Sequence, residues 1–448
     1  MAYDQIPDGK GPLTRRTFLK AAAATGVALG TGSVGQALAE SAAWPRMASS
    51  VAQLKFWDMV WGPPEYITSA KNLVAQFNKT HPSIQVSYQS IPWTNWYQTY
   101  ATALGSGTGP DISTGAGYQA MQFADKGYIL PLDPLVATMK KSGSLADFLP
   151  GTVDVLKYKG QQVAIPWQID IRVLYYRKDL FAKAGIAKPP STWAELQADA
   201  QKLTNKSNHR FGFGMSGDTL GEHIVLSFML NNGGGLFTST GQPDMTDPRN
   251  LEAVTFLDNM AKAGIIDPAG AGWQSADLEK AFGNGTVAIT IDSPGQQNRY
   301  PASVGSQVGI VPPLKGPHGN YGTLSWVNNI MAYKETKNPE AVYTFLEWYS
   351  ENQLPLFTQG HVTAAPTRKS FVANSYFKTD PYMSQIIKEY IPIGETTATH
   401  SPSLFPALNA VEGEGFLQTM AQQIILGQNP SAIMSRAASG LTSTLQGQ

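Results

Sequence analysis

The sequence predicts an α/β protein built as two lobes. Its first folded stretch alternates in the order β-α-β-α-β. A second run of strands and helices begins near residue 162. The chain of 448 residues is too long for one small core, and without its first 39 residues about 409 remain.

Residues 51–58 read as a buried strand. The spacing of Ile67, Ala70, Leu73, Val74 and Phe77 predicts a helix over 65–79. Residues 84–90 alternate as a second strand, and a helix over 95–104 ends at Gly105-Ser106-Gly107-Thr108-Gly109. A third strand begins at 110–112. This order argues for a parallel sheet with helices on both faces. Such sheets bind ligands beyond the carboxyl ends of their strands. Those ends carry Trp57-Asp58 and Pro92-Trp93.

In the second run, 162–166 and 173–176 read as strands. Ser191 or Thr192 caps a helix over 192–203, with Glu195 placed for a capping box. A strand over 211–215 precedes a helix over 222–230, which ends at Gly233-Gly234-Gly235. Helices follow over 250–263 and 275–282, and strands over 286–291, 307–312 and 325–333. Residues 339–350 form an amphipathic helix with Ala341, Val342, Phe345, Leu346 and Trp348 among its apolar positions. From 381 onward the pattern is mainly helical.

The first 39 residues read as an export tag. Arg15-Arg16 precede Phe18-Leu19, a weakly apolar run follows, and Ala37-Leu38-Ala39 supplies the small residues that a signal peptidase reads. The paired arginines point to the twin-arginine route, which moves folded proteins. The run is too short and glycine-rich for a membrane span. No cysteine ends it, which excludes a thioether-linked lipid anchor. The expected product is a soluble periplasmic protein with a flexible leader over 40–50.

Charge balances at 33 basic and 33 acidic residues, which gives no footing for nucleic acid. With no cysteine and six scattered histidines, a soft-metal site is not expected, and no cofactor is implied. Gly105 to Gly109 lies after a helix and before a strand, the reverse of a phosphate loop. The aromatic content is the informative excess, at 10 Trp, 18 Tyr and 18 Phe.

The block Tyr158 to Pro166, then Leu174-Tyr175-Tyr176-Arg177-Lys178-Asp179-Leu180-Phe181 and Pro189-Pro190-Ser191-Thr192-Trp193-Ala194-Glu195-Leu196, resembles the family 1 extracellular solute-binding proteins, the maltose-binding type that serves carbohydrate ABC importers. Gly109-Pro110-Asp111-Ile112, Ala281 to Ile289, Lys337-Asn338-Pro339-Glu340-Ala341 and Ala365-Pro366-Thr367-Arg368-Lys369-Ser370 match further stations of that family in order. The resemblance covers essentially the whole chain after the tag. It implies a periplasmic-binding-protein (type II) clamshell with discontinuous lobes and an interlobe hinge. Lobe one maps to 51–168 and 328–372, and lobe two to 172–324 and 376–448. It also implies a monomer that captures a sugar between its lobes, without chemistry, and delivers it to the importer's membrane subunits. Closure is driven by the ligand's tighter contact with the closed state.

Sugars stack axial C–H patches on aromatic rings and need fixed donors and acceptors for their hydroxyls. The loops expected at the cleft offer both. Trp57, Asp58 and Trp61 follow the first strand, Trp93 the second and Tyr118 the third. Trp167, Asp170 and Arg172 lie at the first crossover. Trp273 precedes a lobe-two helix, Asp292 and Ser293 end a lobe-two strand, Ser325, Trp326 and Asn328 lie at the second crossover, and Arg368 near the third. Asp170, Arg172 and Arg368 are the favoured charged positions, although an Asp–Arg pair at a hinge reads equally as a structural ion pair. Trp193 and Trp348 are assigned to packing, and Asp111 to its own turn. Ser293-Pro294-Gly295 stands where many family members carry Gly-Pro-Trp. That loss of a stacking wall argues against long maltodextrins, while the two cleft-side arginines leave an acidic or sulfonated sugar open, and glycerol-linked sugars as well. The alternatives are a secreted glycoside hydrolase, which needs two acids flanking one bond, and a binding protein for a solute other than a sugar.

Overall fold

The computed structural model describes residues 51–447 apart from Pro402; the expected export tag and leader lie outside the described residues. Strand β1 (Ala52–Met59) pairs in parallel along its length with β2 (Ile84–Ile91), and β3 (Ile112–Gly115) pairs in parallel on its other side. The predicted β-α-β-α-β order is therefore observed. Helix α1 (Pro64–Thr80) connects β1 to β2 and α2 (Trp96–Gly105) connects β2 to β3. Pro64 opens α1, where its missing N–H has no partner to lose. The helix buries Tyr66, Ala70, Leu73, Val74 and Phe77. Phe77 meets Phe345 edge-on at 4.9 Å, and such a buried ring contributes roughly 2–3 kcal/mol.

Strand β4 (Ile165–Ile171) passes through a single residue, Arg172, into β5 (Val173–Arg177). These two strands belong to different sheets. The second sheet also holds β6 (Phe211–Phe213), β7 (Val287–Asp292) and β8 (Val308–Ile310), in the order β8-β5-β7-β6. The chain then returns through β9 (Thr323–Ala332). With β10 (Ala365–Pro366) the first sheet runs β10-β4-β9-β3-β1-β2, and Gly394–Glu395 pairs beside β9. β1, β2 and β3 realise the expected parallel arrangement and β6 pairs in parallel with β7, but β9 runs antiparallel to β3 and β4, and β5 antiparallel to β7 and β8. The cause is topological. A chain that leaves one sheet for the other comes back in the opposite direction, so the strands at the crossings pair antiparallel.

Helix α3 (Trp193–Leu203) has the predicted start. Thr192 Oγ1 accepts from the Glu195 amide at 3.2 Å, and Glu195 reaches back to the Ser191 amide at 2.7 Å. Helix α4 (Thr219–Asn231) begins three residues before the predicted 222, because Asp218 caps it through the Leu220 amide at 3.1 Å. Helices α5 (Pro248–Lys262) and α6 (Ser275–Asn284) complete this half, and α7 (Pro339–Asn352) covers the first sheet. Helices α8 (Leu408–Gly413), α9 (Phe416–Ile425) and α10 (Pro430–Gln446) follow; α9 packs on α4 and α5, and α10 on α5. Trp193 packs edge-on to Phe228 and Trp348 to Phe77, which places both in the core contacts expected of them. Among the described residues no helix is long and apolar enough to cross a membrane.

Candidate functional site

The chain's passage between sheets creates a seam, and the polar side chains of the seam come from both sides of it. In the β4–β9 register Asp170 lies opposite Trp326. Arg172 follows on the crossover residue and folds back. Its Nη1 and Nη2 donate to the two Asp170 oxygens at 2.7 and 3.2 Å, and its Nε donates to His223 Nδ1 of α4 at 3.1 Å. The guanidinium carbon sits 4.8 Å from the Trp326 ring centre. The Trp326 indole N–H donates to Glu412 of α8 at 2.9 Å, and Glu412 also accepts from the Thr397 hydroxyl. Gly117 makes this approach possible, since a Cβ there would stand 2.7 Å from Trp326 Cδ1. Ser325 donates to the Asp170 carbonyl at 3.0 Å, and Asn328 is buried beside Gln168 in the register.

Burial raises the Asp170 carboxyl above its ordinary value, against the pull of Arg172. Burial likewise pushes Glu412 up to about 7, against the hydrogen bonds from Thr397 and Trp326. For His223, burial and then the Arg172 charge hold the imidazole well below its usual range, so it is neutral and its Nδ1 accepts.

A second constellation adjoins the first. Asp292 lies opposite Val173 in the β5–β7 register, one residue from Arg172. Its Oδ1 accepts from the Ser293 amide at 2.7 Å. Arg299 donates to Ser293 Oγ at 2.6 Å and to Asp292 Oδ2 at 3.4 Å, and also pairs with Glu279 of α6. Burial pushes Glu279 up to about 7, against the Arg299 charge. Trp273 stands half-buried just before α6.

The first sheet contributes an aromatic wall. Trp61 meets Trp93 edge-on at 4.9 Å and Trp167 at 5.7 Å. Trp93 is 41% exposed, with its indole N–H on the Val60 carbonyl at 2.6 Å. The Thr363 amide and hydroxyl both bond the Trp61 carbonyl at 2.9 Å, and Gly295 of the other half approaches Thr363. Gly295 takes φ +84, a conformation that favours glycine over the tryptophan common elsewhere.

Several expected cleft residues are placed otherwise. Asp58 is 0% exposed and accepts from Tyr66, Thr114 and Tyr88 at 2.8, 2.8 and 3.1 Å, so it is an internal hub and not a rim acid. Trp167 is buried among Trp61, Tyr66 and Phe357. Trp57 is half-buried, edge-on to Tyr100, and the buried Tyr118 hydroxyl accepts from the Thr397 amide at 3.1 Å. Arg368 is the clearest correction. Its guanidinium donates to Ser350 Oγ at 2.8 Å, Ser144 Oγ at 3.2 Å and Asp147 at 3.3 Å, above the Phe148 ring. A buried guanidinium needs acceptors, and Arg368 finds all of these around the first sheet. Arg368→Ala should therefore lower the urea midpoint of unfolding, by an amount equivalent to about 3 kcal/mol, and leave sugar affinity unchanged; a ligand titration of the variant checks both.

His223, Thr397, Glu279, Arg299 and Glu412 join the site without having been singled out for it. His223 is one of six histidines scattered through the sequence. Glu412 follows Leu408, Ala410 and Val411, whose apolar side chains mark the helix as buried without assigning its glutamate to the site.

A profile of the family described as "Bacterial extracellular solute-binding protein" matches residues 63–353. A sugar transporter protein of Arthrobacter chlorophenolicus A6, solved with bound laminaribiose, is 36% identical over 88% of this chain and 99% of its own, with a TM-score of 0.81. A mannitol-binding protein of Pseudomonas aeruginosa is 24% identical over 83% of this chain and 85% of its own length. An erythritol/L-threitol-binding protein of Mycolicibacterium smegmatis is 25% identical over 70% and 71%.

Proposed function

This chain belongs to the bacterial extracellular solute-binding protein family, and from that premise we propose where it holds its ligand. It is a substrate-binding protein of an ABC transporter, with a two-lobe type II fold, and its ligand is a sugar. The lobes are taken as 51–168 with 328–372 and 172–324 with 376–448, joined at Arg172 and at the return into β9. The sugar is held between them. Trp93, backed by Trp61, offers its exposed face from lobe one, and Trp273 its half-buried face from lobe two. Asp170, Asp292, Ser293, Ser325 and Asn328 supply hydrogen-bonding groups along the seam. Asp58, Trp57, Tyr118, Trp167 and Arg368 support these walls from behind. The sugar leaves unaltered, and the tag exports the protein by the twin-arginine route to the periplasm.

The observation that carries this reading is the joining of two sheets by one residue, Arg172, with aromatic and hydroxyl-binding side chains gathered around it. A hinge there lets bound sugar stabilise the closed state alone.

Tryptophan emission should change saturably on titration with laminaribiose, maltose or mannitol and stay flat with amino acids. Trp93→Ala should weaken the response about 10-fold, as expected for one lost stacking face, with an unchanged melting temperature. Flat emission with every sugar, or steady release of glucose from laminaribiose, would refute the binding-protein reading of this seam.

A further inference from the structure

The two arginines of the seam, Arg172 and Arg299, and the expected Arg368 are each already paired with an acid within the protein. Arg172 spends both terminal nitrogens on Asp170 and its Nε on His223, and one face lies on Trp326. Arg299 is shared among Glu279, Asp292 and Ser293. Arg368 is bound to Asp147, Ser144 and Ser350 and faces away from the seam. His223 is neutral. Around Arg172 and Arg299 stand four carboxyl groups, those of Asp170, Asp292, Glu279 and Glu412. If Glu279 and Glu412 are both counted as uncharged, two aspartates still balance two arginines; with either ionised, the seam is net negative.

From this pairing we infer that the site selects uncharged sugars and rejects uronates, sulfosugars and sugar phosphates. The inference rests on the sugar-binding reading and narrows its substrate class. An anionic ligand gains affinity from a guanidinium whose fork is free for a bidentate contact. Here a ligand carboxylate must break the Asp170–Arg172 fork and leave a carboxylate unpaired, or lie beside carboxylates already present. Either route costs more than a neutral hydroxyl, which adds to the lone pairs of Asp170 and Asp292 without displacing anything. The chain that carries two arginines at the seam therefore uses them to fix its own acids as hydroxyl acceptors.

The test compares neutral sugars (laminaribiose, maltose, mannitol) with glucuronate, galacturonate and glucose 6-phosphate by calorimetry on the mature protein. At least one neutral sugar should bind with an affinity that varies little between low and high salt. The anionic sugars should bind at least roughly 100-fold more weakly. Asp170→Asn, which releases the Arg172 fork, should raise uronate affinity relative to the neutral sugar by about 10-fold. Glu279→Gln repeats the test at Arg299 should the first variant fold poorly. An anionic sugar that binds wild type more tightly than any neutral one overturns this inference while leaving the sugar reading intact. Silence with both sets overturns the sugar reading and this inference with it.

Discussion

Replacing Arg172 with leucine should destabilise the unliganded protein by about 3–5 kcal/mol, the usual cost of removing one member of a buried charge pair. The side chain makes two hydrogen bonds to Asp170 and one to His223, and it covers the Trp326 ring. Leucine fills part of the volume but leaves the Asp170 carboxylate buried without its counter-charge. Lysine keeps the charge but not the planar fork, so Arg172→Lys should recover only part of the loss. The deficit should also depend on pH. Burial already holds the Asp170 carboxyl above its unfolded value, and Arg172 opposes that rise. Without the arginine the folded state keeps the proton to a higher pH than the unfolded chain does. Stability present at low pH is then lost as pH rises, so the gap from wild type should be smaller at pH 5 than at pH 8. Urea midpoints at the two pH values check this. Equal midpoints for Arg172→Leu and wild type would show that the fork contributes nothing.

The same residue shows what the sequence does and does not disclose. Its place at a crossover followed from the family resemblance, and Thr192 caps its helix as the sequence announced, while Glu195 bonds the Ser191 amide in place of the N-cap amide that a capping box uses. Local signals of this kind are written within a few residues. Pairings across hundreds of residues are not. Arg368 finds Asp147 221 positions away, and no spacing rule separates that partner from a ligand. Trp326 and Glu412 are 86 apart, and a glutamate on a helix reads as solvated until tertiary packing covers it. The antiparallel strands at the crossings were hidden for a related reason. Strand direction there depends on which sheet the chain returns to, and that is decided by the whole topology rather than by the strand's own residues. Trp193 and Trp348 were readable as core because both lie on helical faces with apolar neighbours.

Asp58 has the other large expected effect, and it reaches the cleft indirectly. Its Oδ2 accepts from Tyr66 and Tyr88, and its Oδ1 from Thr114. Thr114 Oγ1 in turn accepts from the Met59 amide at 2.9 Å and the Trp61 indole at 3.0 Å. Asp58→Ala leaves the buried Tyr66 and Thr114 hydroxyls and the half-buried Tyr88 hydroxyl without their acceptor, at about 1–3 kcal/mol for each buried one, and a total near 4 kcal/mol is expected. It should also loosen Trp61 and shift its emission. Asn is the informative replacement. Its Oδ1 keeps Thr114, and its amide donates to tyrosine hydroxyls that turn to accept. Burial pushes the Asp58 carboxyl up to about 7, against the hydroxyl bonds from Tyr66, Thr114 and Tyr88. A folded-state value raised above the ordinary 3.8 means that the native protein binds more protons between these limits. The associated stability is fully present below about pH 4 and is lost as pH rises through 7. Glu412 and Glu279, each also near 7, add slopes of the same sign. Wild-type stability should therefore fall from pH 5 to pH 8, and Asp58→Asn should flatten that fall without removing it. An unchanged slope in the Asn variant would mean that Asp58 is ionised throughout, and the three hydroxyls would then be holding a permanent buried carboxylate.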